Sequence, residues 1–478
     1  MRVDEIKRLV EGYVVNARWW PWKGVRKELE VKDIECTDNL VFLLLSTNNS
    51  IFQLPLLSVP RIPESAVSRG FCTNSQCFVE AEFTEAYLSE FVKLKYAKYW
   101  PVTKRLEDIR VYSAKPLTTE STNAVSLYET NQGLMVLKSY RLLSPVNVEV
   151  KVLERLTSKK YRYVPNVCGF LYKGEYASGV LMEYVKGVAD GGTPFYAELV
   201  DILRGVKRRV DAGLSAKLGV IIGEMHVALN ADPVDEFFGA EPVLEKDVSR
   251  WSRRVERMYS TGLRRLDEIA SSDPGARSEL EYWRGLGEVA SRVVDQAVSL
   301  IEKTARNLFK ARIHQDLHLA QMIYTGDGVV DFVITDFEGE PGRTSEERLE
   351  KEPVLRDIAS MIRSFHYLSH AALMNAYNLS RNEASLRMLK ADPTTKWRKT
   401  HVLAMTYSYL ARVYNKGILG VMPHVLHNIG LYLYPWVVER AVYEFYYESL
   451  YRPGWVSIPI VGILESRSLV EKLGRITG

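Results

Sequence analysis

His314-Gln315-Asp316-Leu317-His318-Leu319-Ala320-Gln321 is followed, fifteen residues after Gln321, by Asp336 within the β-rich run VVDFVITDFEGE (329–340). Ile313, Leu317 and Leu319 are placed to anchor a loop, while His314, Asp316, His318 and Gln321 project elsewhere. The surrounding sequence is helical, so a short polar β segment there needs a reason. Loops held on a rigid scaffold are where chemistry concentrates. Two carboxylates and one amide oxygen on adjacent loops suit magnesium, a hard cation that prefers oxygen and takes few protein ligands.

Phosphoryl transfer uses such a set, together with a lysine that holds phosphates and a carboxylate that accepts the proton of the attacking hydroxyl. Upstream, AVSLYET (124–130) and LMVLKSYRL (134–142) read as strands joined by a turn at Asn131-Gln132-Gly133. Lys138 lies in the second strand, flanked by Leu137, and a charge on a half-buried strand calls for a partner. Glu149, on the helix VEVKVLERL (148–156) that follows Ser144-Pro145, can supply that partner. VCGFLYK (167–173) and GVLMEYV (179–185) form a second hairpin, whose end at Glu183 to Val185 offers backbone groups to an adenine. Between Thr118 and Ser126, TTESTNAVS has no glycine, so Ser121 and Ser126 supply hydroxyls where a phosphate loop more often uses backbone amides. A strand lysine alone reads as a surface residue, and an HxDxH string alone as a coincidence; the ordered set carries the signal.

Composition bounds the rest. The 478 residues are 46% hydrophobic and 26% charged, which excludes a disordered or collagen-like chain. A net charge of +4 is small for this length and argues against dedicated nucleic-acid binding. The N-terminus has no apolar core of signal-peptide length, so a cytoplasmic protein is expected. The charge-free stretch Gly417 to Val438 is long enough for a bilayer, but Pro423, His424, His427, Asn428 and Pro435 make it a buried helix and turn, so no membrane partner is expected. Cys72 and Cys77 flank the loop TNSQ and read as two free thiols, with a disulfide as the alternative.

Three regions follow: 1–115, a small α+β unit containing VFLLL (41–45) and FQLPLL (52–57); 116–185, hairpin, helix, hairpin; and 186–478, mostly helical. Helices are expected over 213–230, 243–270, 277–309, 350–374, 383–417 and 435–450. On the last of these, Arg440, Glu444, Tyr447 and Glu448 share a face, which suits a sugar as well as it suits a surface salt-bridge face. Arg343, Arg356 and Asp357 are further candidates, the last two equally a pair that locks the loop.

These residues resemble maltokinase, a sugar-kinase family related to the aminoglycoside phosphotransferases. ARWWPWKG (17–24), FQLPLL, STNAVSLYE (121–129), HQDLHLAQ, DFEGEPGRTSEERLEKEPVLRDIASMIRSFHY (336–367) and ERAVYEFYYESLYRPGWVSIPIVGIL (439–464) carry the likeness. Gln315 replaces a usual glycine, and Arg440 a frequent lysine. The resemblance implies an α+β, protein-kinase-like two-lobed fold with an N-terminal cap domain (1–115), a nucleotide-binding lobe (116–185) and a helical lobe (186–478). It implies Asp316 as catalytic base, Gln321 and Asp336 as magnesium ligands, and Lys138, Glu149, Ser121, Ser126, Glu183 and Val185 toward ATP. His318, Arg343, Glu444, Tyr447 and Glu448 are expected at the sugar. The implied reaction is maltose plus ATP giving maltose 1-phosphate and ADP, by a monomer acting beside other glucan or trehalose enzymes in glycogen-type synthesis. A kinase of the same fold acting on glucosamine is the close alternative, and a non-catalytic nucleotide-binding protein the alternative of another class.

Overall fold

The computed structural model describes all residues except 1–2, 18, 21–27, 48–49, 65–68, 74–75, 119–120, 421–423 and 475–478. Much of the ARWWPWKG signature, the centre of the TNSQ loop, two residues of the TTESTNAVS stretch and Pro423 therefore lie outside the described residues. The chain divides into two compact units: residues 1–157 with 164–186, and 158–163 with 187–478.

The first unit opens with helix α1 (Val3–Val14) and strands β1 (Glu30–Cys36), β2 (Leu40–Thr47), β3 (Ser50–Val59), β4 (Gly70–Cys72) and β5 (Cys77–Glu80). They form an antiparallel sheet in the order β1-β2-β3-β5-β4. β2 reads LVFLLLST without polar alternation because both of its faces are covered. Leu43 and Leu45 pack with Val10, Val14, Trp19 and Trp20 on one side, and Leu40 and Phe42 with Tyr87 and Phe91 on the other. Cys72 and Cys77 are register partners across the β4–β5 hairpin and form a disulfide, where two free thiols were expected. The short loop sets that register, which spacing alone does not reveal.

Helix α2 (Tyr87–Phe91) leads to β6 (Ala97–Pro101), β7 (Val111–Pro116), β8 (Ala124–Thr130), β9 (Gly133–Ser139), the two-residue β10 (Leu142–Leu143), α3 (Val148–Ser158), β11 (Val167–Lys173) and β12 (Tyr176–Glu183). The second sheet runs β6-β11-β12-β9-β8-β7, while β10 pairs with β3. The β8–β9 turn closes at Asn131-Gln132 with Gly133 at φ +99°, a left-handed geometry that glycine adopts freely. This sheet begins before residue 116. Its edge strands β6 and β7 are mostly half-exposed and carry little periodic signal.

The second unit is helical, interrupted by short strands. In order come β13 (Ala189–Asp190), α4 (Thr193–Leu203), α5 (Gly213–Leu229), β14 (Glu241–Pro242), α6 (Glu245–Ser272), α7 (Arg277–Thr304), β15 (Phe309–Ala311), β16 (Met322–Tyr324), β17 (Phe332–Ile334), α8 (Ser345–Leu349), β18 (Glu352–Pro353) and α9 (Leu355–Tyr377). α10 (Arg381–Ala391), α11 (Thr395–Val413), α12 (His424–His427), α13 (Ile429–Tyr451) and α14 (Ser457–Val470) complete it. The single helix expected over 383–417 is two, because Pro393 cannot continue the first. α13 starts six residues before Pro435, and burial on all sides outweighs the hydrogen bond that proline removes. It packs against α6, α7, α9 and α14. Among the described residues, no helix is long and apolar enough to cross a membrane.

Candidate active site

The loop after β15 is held from below. Ile313, Leu317 and Leu319 are buried, and Asp357 in the first turn of α9 accepts the backbone N–H groups of His314 (2.8 Å) and Gln315 (3.0 Å). The same carboxylate meets His226 Nε2 at 3.0 Å. Gln315 sits at φ +73°, the region a glycine would favour. Its amide nitrogen donates to the carbonyls of Arg348 (3.0 Å) and Glu350 (2.9 Å), hydrogen bonds that offset the backbone cost of the substitution.

Asp316 is buried, and Arg440 Nη2 donates to its Oδ1 at 2.8 Å. His318, about one-third exposed, places Nε2 3.7 Å from Oδ2. Burial alone would raise the Asp316 pKa; the Arg440 guanidinium and His318 overcome it and hold the carboxyl well below its ordinary range. Asp316 is therefore a charged acceptor at any working pH.

The hairpin β16–β17 pairs Met322 with Ile334, which puts Gln321 and Asp336 at the same end. Gln321 Nε2 donates to Asp336 Oδ2 at 3.1 Å, so the amide and carboxylate are neighbours. Asp336 adopts φ +64°, a strained conformation for a non-glycine residue and of the kind that clusters at functional sites. An amide oxygen and a carboxylate are hard donors, so this pair fits magnesium.

The sugar candidates differ in how occupied they are. Arg363 donates to Glu444 Oε2 at 2.8 and 2.6 Å. Glu448 is 2% exposed; Arg452 reaches its Oε1 at 2.6 Å, while its Oε2 has no hydrogen-bond partner among the described residues. Burial pushes the Glu448 carboxyl up to about 7 against the pull of Arg452. The ring of Tyr447 lies tilted against those of Tyr443 and Tyr451, at centroid distances of 6.4 and 4.8 Å. Arg343 is instead turned into a buried lattice of ion pairs, with Glu340 at 2.5 Å and Glu352 at 2.9 Å, and so leaves the sugar-facing candidates.

That lattice is the feature sequence reading missed. Arg356 joins Glu340 (3.0 Å) and Glu439 (3.0 Å), Arg254 joins Glu352 (2.7 Å) and Glu439 (3.1 Å), and Arg440 joins Glu340 (3.1 Å) to Asp316. Burial disfavours the charge on Glu340 and Glu352, but the surrounding arginines hold both below the usual carboxylate range. The charges of DFEGEPGR are visible in sequence; their partners, up to a hundred residues away, are not.

In the first unit, Lys138 Nζ lies 2.8 Å from Glu149 Oε2, and both residues are buried. Glu183 pairs with Lys104 at 3.0 Å and accepts from Asn166 Nδ2 at 3.0 Å, while Val185 follows the end of β12, half-buried. Ser121 Oγ accepts the Asn123 N–H at 3.0 Å and shapes the turn into β8. Ser126 does not belong with it: it is fully buried inside β8, opposite Leu137, out of reach of a phosphate.

No protein-family model matches the chain. A solved glucosamine kinase aligns over 95% of this chain and 98% of its own, with TM-score 0.64 and 17% identity. The chain has the kinase-like α+β fold. Another solved structure, a glucosamine kinase in complex with glucosamine, ADP and inorganic phosphate, aligns over the same shares with TM-score 0.60 and 16% identity. In sequence, the glucosamine kinase of Streptacidiphilus jiangxiensis is 25% identical over 308 residues, which are 63% of this chain and 61% of that protein. The glucosamine kinase of Mycolicibacterium smegmatis is 26% identical over 283 residues, 58% of this chain and 59% of that protein. The match thus spans about three-fifths of each relative's length.

Proposed function

We propose that this chain is an ATP- and magnesium-dependent sugar kinase, with glucosamine ahead of maltose as the acceptor. The observation that carries the kinase reading is the buried, arginine-held carboxylate of Asp316 on a pinned loop, followed in the chain by the paired Gln321 and Asp336 at one end of a hairpin, within a kinase-like fold. Glucosamine moves ahead of maltose because the relatives similar in sequence are glucosamine kinases; Glu448, whose buried Oε2 has no hydrogen-bond partner among the described residues, is the acidic group this reading assigns to the ammonium. A carboxyl poised near 7 ionises readily when a cation arrives beside it.

In this reading, Asp316 accepts the proton of the sugar hydroxyl as its oxygen bonds to the terminal phosphorus. The bond between that phosphorus and the bridging oxygen breaks, and ADP carries away the electron pair. Arg440 keeps Asp316 ionised and oriented, and Glu149 fixes the Lys138 ammonium for the nucleotide phosphates. Magnesium bound by Gln321 and Asp336 would neutralise phosphate charge.

Arg440→Met removes the charge that outweighs burial at Asp316, so the acid limb of the kcat/KM profile moves to higher pH. Activity at pH 5 falls far more than at pH 8, and Arg440→Lys restores part of it. An unshifted limb in the Met variant would remove Arg440 from this role.

Substrate choice is tested with a panel of glucosamine, maltose, glucose and trehalose. Glucosamine is expected to give the highest kcat/KM and a 6-phosphate. Glu448→Gln is expected to raise the glucosamine KM about tenfold, the loss of about 1.4 kcal/mol of ammonium binding, and to leave the glucose KM unchanged. Maltose as the best acceptor, phosphorylated at the anomeric carbon, would return the assignment to maltokinase.

A further inference from the structure

On the second unit, a cleft of about 530 Å³ whose lining includes none of the candidate active-site residues is formed by the turn 159–162, the outer face of α5 and the end of α11. Five cations line it, Lys159, Lys160, Arg162, Arg412 and Lys416, against a single carboxylate, Glu224. That local excess equals the formal net charge of the entire 478-residue chain, +4.

Each of the basic runs 207–209, 253–254 and 264–265 on this unit has at least one member paired with an acid, while Arg208, Arg209 and Arg253 make no ion pair among the described residues. Lys207 pairs with Glu198, Arg254 with Glu352, and both Arg264 and Arg265 with Glu268. In the cleft, Glu224 is taken by Arg412 at 2.5 Å, and Arg162 donates to the hydroxyl of Tyr163 at 2.8 Å. Lys159, Lys160 and Lys416 make no ion pair among the described residues. Lys160 is also held at φ +54°, a backbone position costly for a lysine. The turn that presents these lysines is fastened to α5, since the buried Tyr161 donates its hydroxyl to the Ile221 carbonyl at 3.0 Å.

Uncompensated cations gathered in a concavity repel one another and raise the local concentration of anions. The volume suits a small molecule rather than a polymer, and Tyr161, Val227, Ala228 and Ala231 give one wall an apolar surface. We propose that this cleft is a second ligand site, separate from the candidate active site, that binds a compact organic phosphate of two to four negative charges. The cations meet its phosphate oxygens, and the apolar wall meets its carbon skeleton. The inference does not depend on which sugar the protein phosphorylates, or on its being a kinase.

Fructose 1,6-bisphosphate and inorganic tripolyphosphate serve as probes, titrated calorimetrically into the full chain and into a Lys159→Glu/Lys416→Glu variant. Both lysines are exposed, so the variant is expected to keep the melting temperature of the parent, and Lys159→Gln/Lys416→Gln provides a milder check. The expected result is saturable binding of both probes that weakens at least tenfold in the Glu variant, by a smaller factor in the Gln variant, and with rising salt. Affinity for both probes unchanged in the Glu variant, or no saturable binding by the parent, would overturn the proposal. So would an acidic peptide or an oligonucleotide that binds more tightly than either probe and depends on the same two lysines, since the occupant would then be a macromolecule.

Discussion

Asp316→Asn is expected to lower sugar phosphorylation by about 10²–10⁴-fold, the usual worth of a general base. Asparagine nearly matches the shape of aspartate, but its amide cannot take the proton of a sugar hydroxyl. The substitution also leaves Arg440 compensated, because Glu340 at 3.1 Å and Glu444 at 3.6 Å remain its partners. The fold is therefore expected to survive, and nucleotide affinity, which this reading assigns to Lys138 and the metal ligands, to stay nearly constant. Steady-state kinetics beside ADP titration measures both. A variant with near-normal kcat would take Asp316 out of the base role; one that also loses ADP binding would show damage to the loop rather than to the chemistry.

Arg356→Met has the largest expected effect on stability, about 3–5 kcal/mol, the cost of breaking a buried ion pair by removing one member. Arg356 is 4% exposed and bridges Glu340 and Glu439, at 3.0 Å each. Methionine fills much of the volume but leaves two buried carboxylates short of a cation, and Glu340 is the residue that steadies Arg440 beside Asp316. Chemical denaturation monitored by tryptophan fluorescence gives the loss. The double variant Arg356→Met/Glu439→Gln, which removes one charge of each sign and leaves Arg254 its partner Glu352, is expected to recover part of it. A loss below about 1 kcal/mol in the single variant would mean that water or rearrangement relieves those carboxylates.

The parts of the fold and site legible in sequence are the local ones. Lys138 and Glu149 are eleven residues apart, on a strand and the next helix, and the structure pairs them. Gln321 and Asp336 come together because one hairpin separates them. Helix periodicity located α5 and α6 to within two residues, while α9 begins five residues later than expected, after the strand β18. What escaped depends on distant partners. Nothing near Arg343 in sequence says that it faces Glu352 inside a lattice rather than a sugar, and Ser126 reads like its loop neighbours until strand pairing turns it inward. The edge strands β6 and β7 lacked alternation because neither face is fully covered. Gln315 could be flagged only as a departure, since the carbonyls that receive its amide belong to Arg348 and Glu350, more than thirty residues on.

Phosphorus NMR of the full chain with ATP, magnesium and glucosamine tests the central claim directly. A new phosphate monoester resonance should grow in step with ADP, and should be absent when the sugar is omitted. ATP that persists with all four sugars of the panel, in folded protein supplied with magnesium, would contradict the kinase reading, as would conversion to inorganic phosphate alone.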